Sequence, residues 1–96
     1  MAQKTRQFDP AEYLTSDEGI AEYISAALET EDAAFIADAL GVVARAKGMS
    51  QIARDAGLGR ESLYKALRSD GNPEFSTVLR VLHALGLKLA TEPIRR

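Results

Sequence analysis

The chain has no cysteine and a single histidine, His83. Without cysteine there is no disulfide framework and no thiolate metal site. One imidazole builds no metal centre, and no Ser/His/Asp set can be assembled around it. His83 falls on the outer side of a helix pattern and reads as a surface residue. Acidic residues are plentiful, yet none of their pairings is marked by its surroundings as an acid/base couple. Gly57 and Gly59 do not follow a strand pattern, so they do not read as a phosphate loop. No apolar run approaches ~18 residues, and no signal-peptide pattern opens the chain. These absences lead to the expectation of a soluble cytoplasmic protein that is not an enzyme, with no metal, no cofactor and no membrane contact.

What is present is an uneven charge. The 96 residues carry a formal net charge of −2. Residues 1–40 hold two basic residues against nine acidic ones, a balance of −7, whereas residues 41–96 hold ten against five, a balance of +5. Such a split predicts two surfaces with different partners. The length fits one domain, and a domain this short buries only roughly 60–65% of its unfolded surface. No internal repeat or low-complexity tract interrupts it.

The apolar pattern is helical nearly throughout. "TSDEGIAEYISAALE" opens with Thr15 three residues before Glu18, the spacing of a capping box. Ile20, Tyr23, Ile24, Ala27 and Leu28 then share one helix face. Thr30 is expected to cap a second helix whose inner stripe reads Phe35, Ile36, Ala39, Leu40 and Val43, with Gly48 at its end. Ser50 is expected to cap a short third helix, Gln51 to Ala56. A fourth helix is predicted from about Arg60 to Leu67. After the turn formers "SDGNP", Ser76 or Thr77 starts a fifth helix that buries Val78, Val81, Leu82 and Leu85 and ends at Gly86. The alternation of Leu87, Lys88, Leu89 and Ala90 reads as a short strand. Residues 1–14 lack helical periodicity and read as an extended arm. The fold class expected is therefore all-α, five helices over residues 15–96, with an N-terminal arm and a short C-terminal strand.

One stretch carries chemistry. In "AGLGRESLYKAL" the small Ala53 lets a following helix cross closely, and Gly57 supplies a turn conformation that most side chains resist. Leu58 fills the space under the turn. Leu63, Ala66 and Leu67 face inward, toward Ile52 and Ala56. Rotation along the helix points Glu61, Tyr64, Lys65 and Arg68 outward, with Arg60 and Ser62 in the first turn. In a helix-turn-helix that first turn enters the major groove. Arg60, Lys65 and Arg68 suit guanine edges or phosphates, and Tyr64 suits a thymine methyl or a phosphate. Gln51 stands where the preceding helix can dock a phosphate. The plainer alternative is a helical hairpin with a solvated basic face.

"KGMSQIARDAGLGRESLYKAL…GNPEFSTVLRVLHALGLKL" resembles the Cro/CI-type (XRE) helix-turn-helix and, more narrowly, the HigA-like addiction-module antidote proteins. "FDPAEYLTSDEGIAEYISAALE" and "AFIADALGVVARAKGMSQ" are similar to the opening and middle of that family, so the likeness spans about residues 8–89. It departs at Gly59, where the family often has a serine that caps the recognition helix. The resemblance implies an antitoxin of a type II toxin–antitoxin pair that represses its own operon. It also implies a small RelE/ParE/HigB-like toxin as partner, often a ribosome-dependent endoribonuclease.

A nuclease that grips RNA is expected to be basic, and the acidic front is its electrostatic complement. Phe8, Tyr13 and Leu14 are candidate apolar anchors for that toxin, with packing against the protein's own helices as the alternative for Tyr13 and Leu14. One recognition helix reads few bases, so a homodimer on an inverted-repeat operator is expected, paired through the fifth helix and the tail. Two other functions stay open at this stage. One is a stand-alone repressor, which would lack a neighbouring gene for a small basic protein. The other is a protein-interaction module without DNA binding.

Overall fold

The computed structural model describes Leu14, residues 16–68 and residues 70–94. Five helices follow one another: α1 (Asp17–Glu29), α2 (Ala33–Lys47), α3 (Met49–Ala56), α4 (Arg60–Ala66) and α5 (Phe75–Ala84). α1 packs on α2, and α3 touches α2, α4 and α5, so the short third helix is the hub.

Each helix end has a local cause, and several differ from the expected caps. α1 is capped by Ser16, whose Oγ accepts the Gly19 N–H at 3.0 Å; Thr15 lies outside the described residues. α2 is capped by Asp32 and not by Thr30: Asp32 Oδ1 accepts from the Ala34 and Phe35 N–H groups at 3.1 and 3.2 Å. Thr30 serves the end of α1, where its hydroxyl donates to the Ala27 carbonyl at 2.6 Å. Glu31 between them takes φ 56, a conformation that displaces the start of α2 beyond Thr30.

α3 has no side-chain cap, and Ser50 lies inside it. Gly48 closes α2 through its N–H to Ala44 (2.9 Å), and its carbonyl accepts the Ile52 N–H (3.0 Å). One residue joins two helices, leaving no room for a capping serine. α5 starts at Phe75, earlier than Ser76 or Thr77, because the extended Glu74 supplies the first carbonyl, to Val78 at 3.1 Å.

The expected C-terminal strand is not formed: residues 87–94 contain no strand. Gly86, at φ 82, donates to His83, and Leu87 donates to Leu82 at 2.8 Å. This paired arrangement closes a helix and tucks the residue after the glycine back onto it. Leu87 is therefore half-buried against the core. Beyond it, no neighbouring strand among the described residues offers a ladder.

A single core draws on every helix. Ile20, Leu40, Val43, Ile52, Leu63, Leu67 and Val81 are its fully buried side chains. Among the described residues no polar or charged group is buried. Phe35 departs from the expected stripe of α2, being 51% exposed. Helical side chains lean toward the N-terminus, so a first-turn residue projects past the end of its helix. Ile36, Ala39, Leu40 and Val43 hold the expected face. No described helix is long and apolar enough to cross a membrane.

Candidate nucleic-acid interface

The geometry of α3 and α4 follows from four residues. Ala53 is buried, so the two helices meet without a bulky side chain between them. Gly57 sits at φ 72, ψ 32, the left-handed region. Its N–H donates to Arg54 at 3.1 Å, and the Leu58 N–H donates to Ala53 at 2.9 Å. The same paired closure ends α5, and in both places the residue after the glycine is a half-buried leucine. Gly59 then opens α4 in extended conformation without a side-chain cap. Leu63 and Leu67 anchor α4 from below.

All seven residues singled out from sequence are exposed: Gln51, Arg60, Glu61, Ser62, Tyr64, Lys65 and Arg68. At about 100° per residue, Arg60, Glu61, Tyr64 and Lys65 share one face of α4. Arg68 follows in the turn after the C-cap Leu67, beyond the helix that the sequence pattern extends to Leu67. Ser62 stands on its flank, and Gln51 belongs to α3. Arg60 and Tyr64 form one unit. The guanidinium carbon lies 5.4 Å from the ring centroid, and Nη2 reaches Tyr64 Oη at 3.5 Å. An arginine held this way keeps its planar donor fork while losing part of its freedom.

Two carboxylates that sequence reasoning passed over modify the interface. Asp55 accepts from Gln51 Nε2 at 3.1 and 3.0 Å, while Gln51 Oε1 accepts from Arg54 at 3.3 Å. Asp55 thus competes with a phosphate for the Gln51 amide. Arg68 pairs with Asp70 at 3.1 Å in an exposed salt bridge. The signal for each lay in the spacing: Gln51 and Asp55 are one helical turn apart, and Asp70 follows Arg68 into the turn.

A third omission is Gly41, in the middle of α2. A Cβ there would lie 2.7 Å from the Leu67 carbonyl oxygen. Glycine thus lets the end of α4 seat directly on α2. An isolated glycine inside a helical pattern is the sequence signal for such a close approach.

Of the candidate toxin anchors, Phe8 and Tyr13 lie outside the described residues. Leu14 is 7% exposed and belongs to the core, which favours its packing role over an anchoring one. His83 is exposed, as expected. No group of three or more side chains placed to hold a metal ion occurs among the described residues.

Comparison with known proteins adds a family to this geometry. The family model described as "Probable addiction module antidote protein" matches residues 4–93. An uncharacterized protein of Haemophilus influenzae is 48% identical over 95 residues, covering 99% of this chain and 98% of the relative. No solved structure matches the chain. The family match stops three residues short of each end, and on that extent the chain belongs to the addiction module antidote proteins.

Proposed function

We propose that this protein is the antitoxin of a type II toxin–antitoxin module and that it also represses its own operon. In this reading α3, its turn and α4 are a Cro/CI-type (XRE) helix-turn-helix of the HigA-like kind. α4 lies in the major groove, with Arg60, Tyr64, Lys65 and Arg68 toward bases and phosphates. Glu61, Ser62 and Gln51 complete the contact surface. The protein acts as a cytoplasmic homodimer on an inverted repeat, its two recognition helices about 34 Å apart, one DNA turn. It works by binding and not as an enzyme.

The observation that carries this reading is the left-handed Gly57 turn. It joins a buried Ala53 to a helix whose polar face is exposed along its length, in a chain of the antidote family. The charge supports it. From Arg45 to Arg68 there are six basic residues and two acidic ones, while residues 14–40 carry seven acids and no base. A basic surface fits DNA. The acidic front fits a small cationic toxin of the RelE/ParE/HigB-like kind, with Phe8 and Tyr13 as candidate anchors in the arm.

The test pairs a gel shift on the operon's own promoter with growth rescue against the toxin encoded beside this gene. Specific retardation and rescue by the full chain are expected. Retardation equal to that of random DNA at every salt concentration would sink the repressor reading. A toxin that still arrests growth would sink the antitoxin reading.

A further inference from the structure

An apolar groove of about 200 Å³ opens where α1, α2, α5 and the tail meet. Leu28, Ile36, Leu40, Phe75, Val78 and Leu89 line it. Phe75 is 65% exposed and Leu89 is 39% exposed, so the apolar surface reaches solvent. None of the seven residues of the candidate nucleic-acid interface lines it. Small-molecule sites run to about 300–1,000 Å³. This groove has the size for side-chain anchors of a protein partner instead.

The charged residues next to its lining in sequence select among partners. Glu31 and Asp32 directly precede Ala33, which lines the groove at the start of α2. Glu74 stands between the lining residues Pro73 and Phe75, one turn before Val78. Lys88, beside Leu89, is the basic residue adjoining this lining. The fifth helix and the tail are the dimer surface expected from sequence, but a second copy placed groove to groove would set these acids against themselves, since a two-fold interface pairs like surfaces. Residues 1–13 hold Lys4 and Arg6 against Asp9 and Glu12, so the chain's own arm brings no basic excess. A cationic protein meets both conditions.

We propose that this groove is the docking site of the toxin. It receives an apolar side chain of a segment flanked by lysine or arginine, whose charges meet Glu31, Asp32 and Glu74. The inference rests on the antitoxin reading and places the partner's apolar contact on the helical body, apart from the arm. Burying an aromatic rim residue such as Phe75 is the kind of contact that dominates a protein interface.

The experiment titrates the purified toxin encoded beside this gene into the full-length protein, followed by calorimetry. The variants are Phe75→Ala, which removes the exposed rim, and Ala33→Arg, which sets a cation over the mouth at an exposed position. Each is expected to weaken toxin binding about tenfold or more, while operator retardation and molar mass by light scattering match the wild type. Unchanged toxin affinity in both variants overturns the groove. A fall in molar mass with Phe75→Ala overturns it too, by assigning the groove to a second copy. Toxin affinity that drops only on deletion of residues 1–13 overturns it in favour of the arm. A wild-type protein that does not bind the toxin overturns the antitoxin reading, and the groove with it.

Discussion

The two halves of this molecule solve opposite problems with the same kind of helix. α1 and α2 are long and joined by a turn that uses the non-glycine Glu31 at positive φ; α1 exposes Asp17, Glu18, Glu22 and Glu29, whereas α2 ends in the exposed bases Arg45 and Lys47. α3 and α4 are short, lie in the basic part of the chain and are joined by a glycine turn. The long pair builds a broad surface with an apolar groove at its edge. The short pair builds almost no surface of its own and instead displays one helix face. In the proposed function the long pair serves a protein partner and the short pair a polyanion.

The largest effect is expected where the halves share a core. Leu63 is fully buried. Leu63→Ala should cost about 2–5 kcal/mol, a large share of the roughly 5–15 kcal/mol that holds a domain together. Chemical denaturation measures it, and both operator and toxin binding should fall together. Loss of DNA binding alone would show that α4 folds as a separate unit.

Next in size is Arg60→Ala, which leaves the core untouched. It should cost roughly 1–3 kcal/mol on operator DNA if Arg60 meets a base. Toxin affinity should be unchanged. Gel shifts on operator and random DNA separate a base contact, which changes their ratio, from a phosphate contact, which weakens both alike. A matching loss of toxin binding would break the division between the two surfaces.

Glu31→Gly should sharpen the contrast between the turns. It relieves the left-handed penalty of a side chain, worth roughly 1–2 kcal/mol, less the entropy that glycine costs the unfolded state. The net expectation is a gain of about 1 kcal/mol in thermal or denaturant unfolding. A destabilised variant would show that the Glu31 side chain does something for the α1–α2 turn beyond setting its φ.

The smallest effect belongs to Asp70→Asn. The salt bridge it removes is exposed, so stability should change by less than about 1 kcal/mol. Arg68 is freed for phosphate, so DNA affinity should rise and fall more steeply with salt. Fluorescence anisotropy at several salt concentrations checks both. An unchanged salt slope would place Arg68 outside the DNA contact.

Much of this architecture was legible in the sequence. Helix positions followed from apolar spacing, and the α3–α4 turn followed from Ala53, Gly57 and Leu58, because small residues and left-handed glycines have few other uses in such a pattern. The caps were less legible. Thr30, Ser50 and Ser76 all have the right chemistry, but which hydroxyl caps depends on where the preceding helix stops, and Glu31 and Gly48 decide that by backbone conformation. Phe35 was misplaced because periodicity ignores the direction in which helical side chains lean. The tail's alternation of Leu87 and Leu89 looked like a strand, yet a strand needs a neighbour that no local pattern supplies. In the candidate interface the exposed residues of α4 were readable from rotation alone. Asp55 and Asp70 were less legible, since rotation marks which side chains are exposed but not which exposed anion holds which donor.

The order in which the helices touch has a kinetic consequence. α1 meets α2, α2 meets α3 and α3 meets α4, each a neighbour in sequence; α3 with α5 is the main pairing that skips an element. Chains built from such local contacts fold in roughly microseconds to milliseconds. The α3–α5 pairing spans the segment from Gly57 to Glu74, and it seats Val81 and Leu82 in the core. The arrival of α5 is thus expected to limit the folding rate. Truncating Val81 should slow folding more than it speeds unfolding, while truncating Ile20 should chiefly speed unfolding.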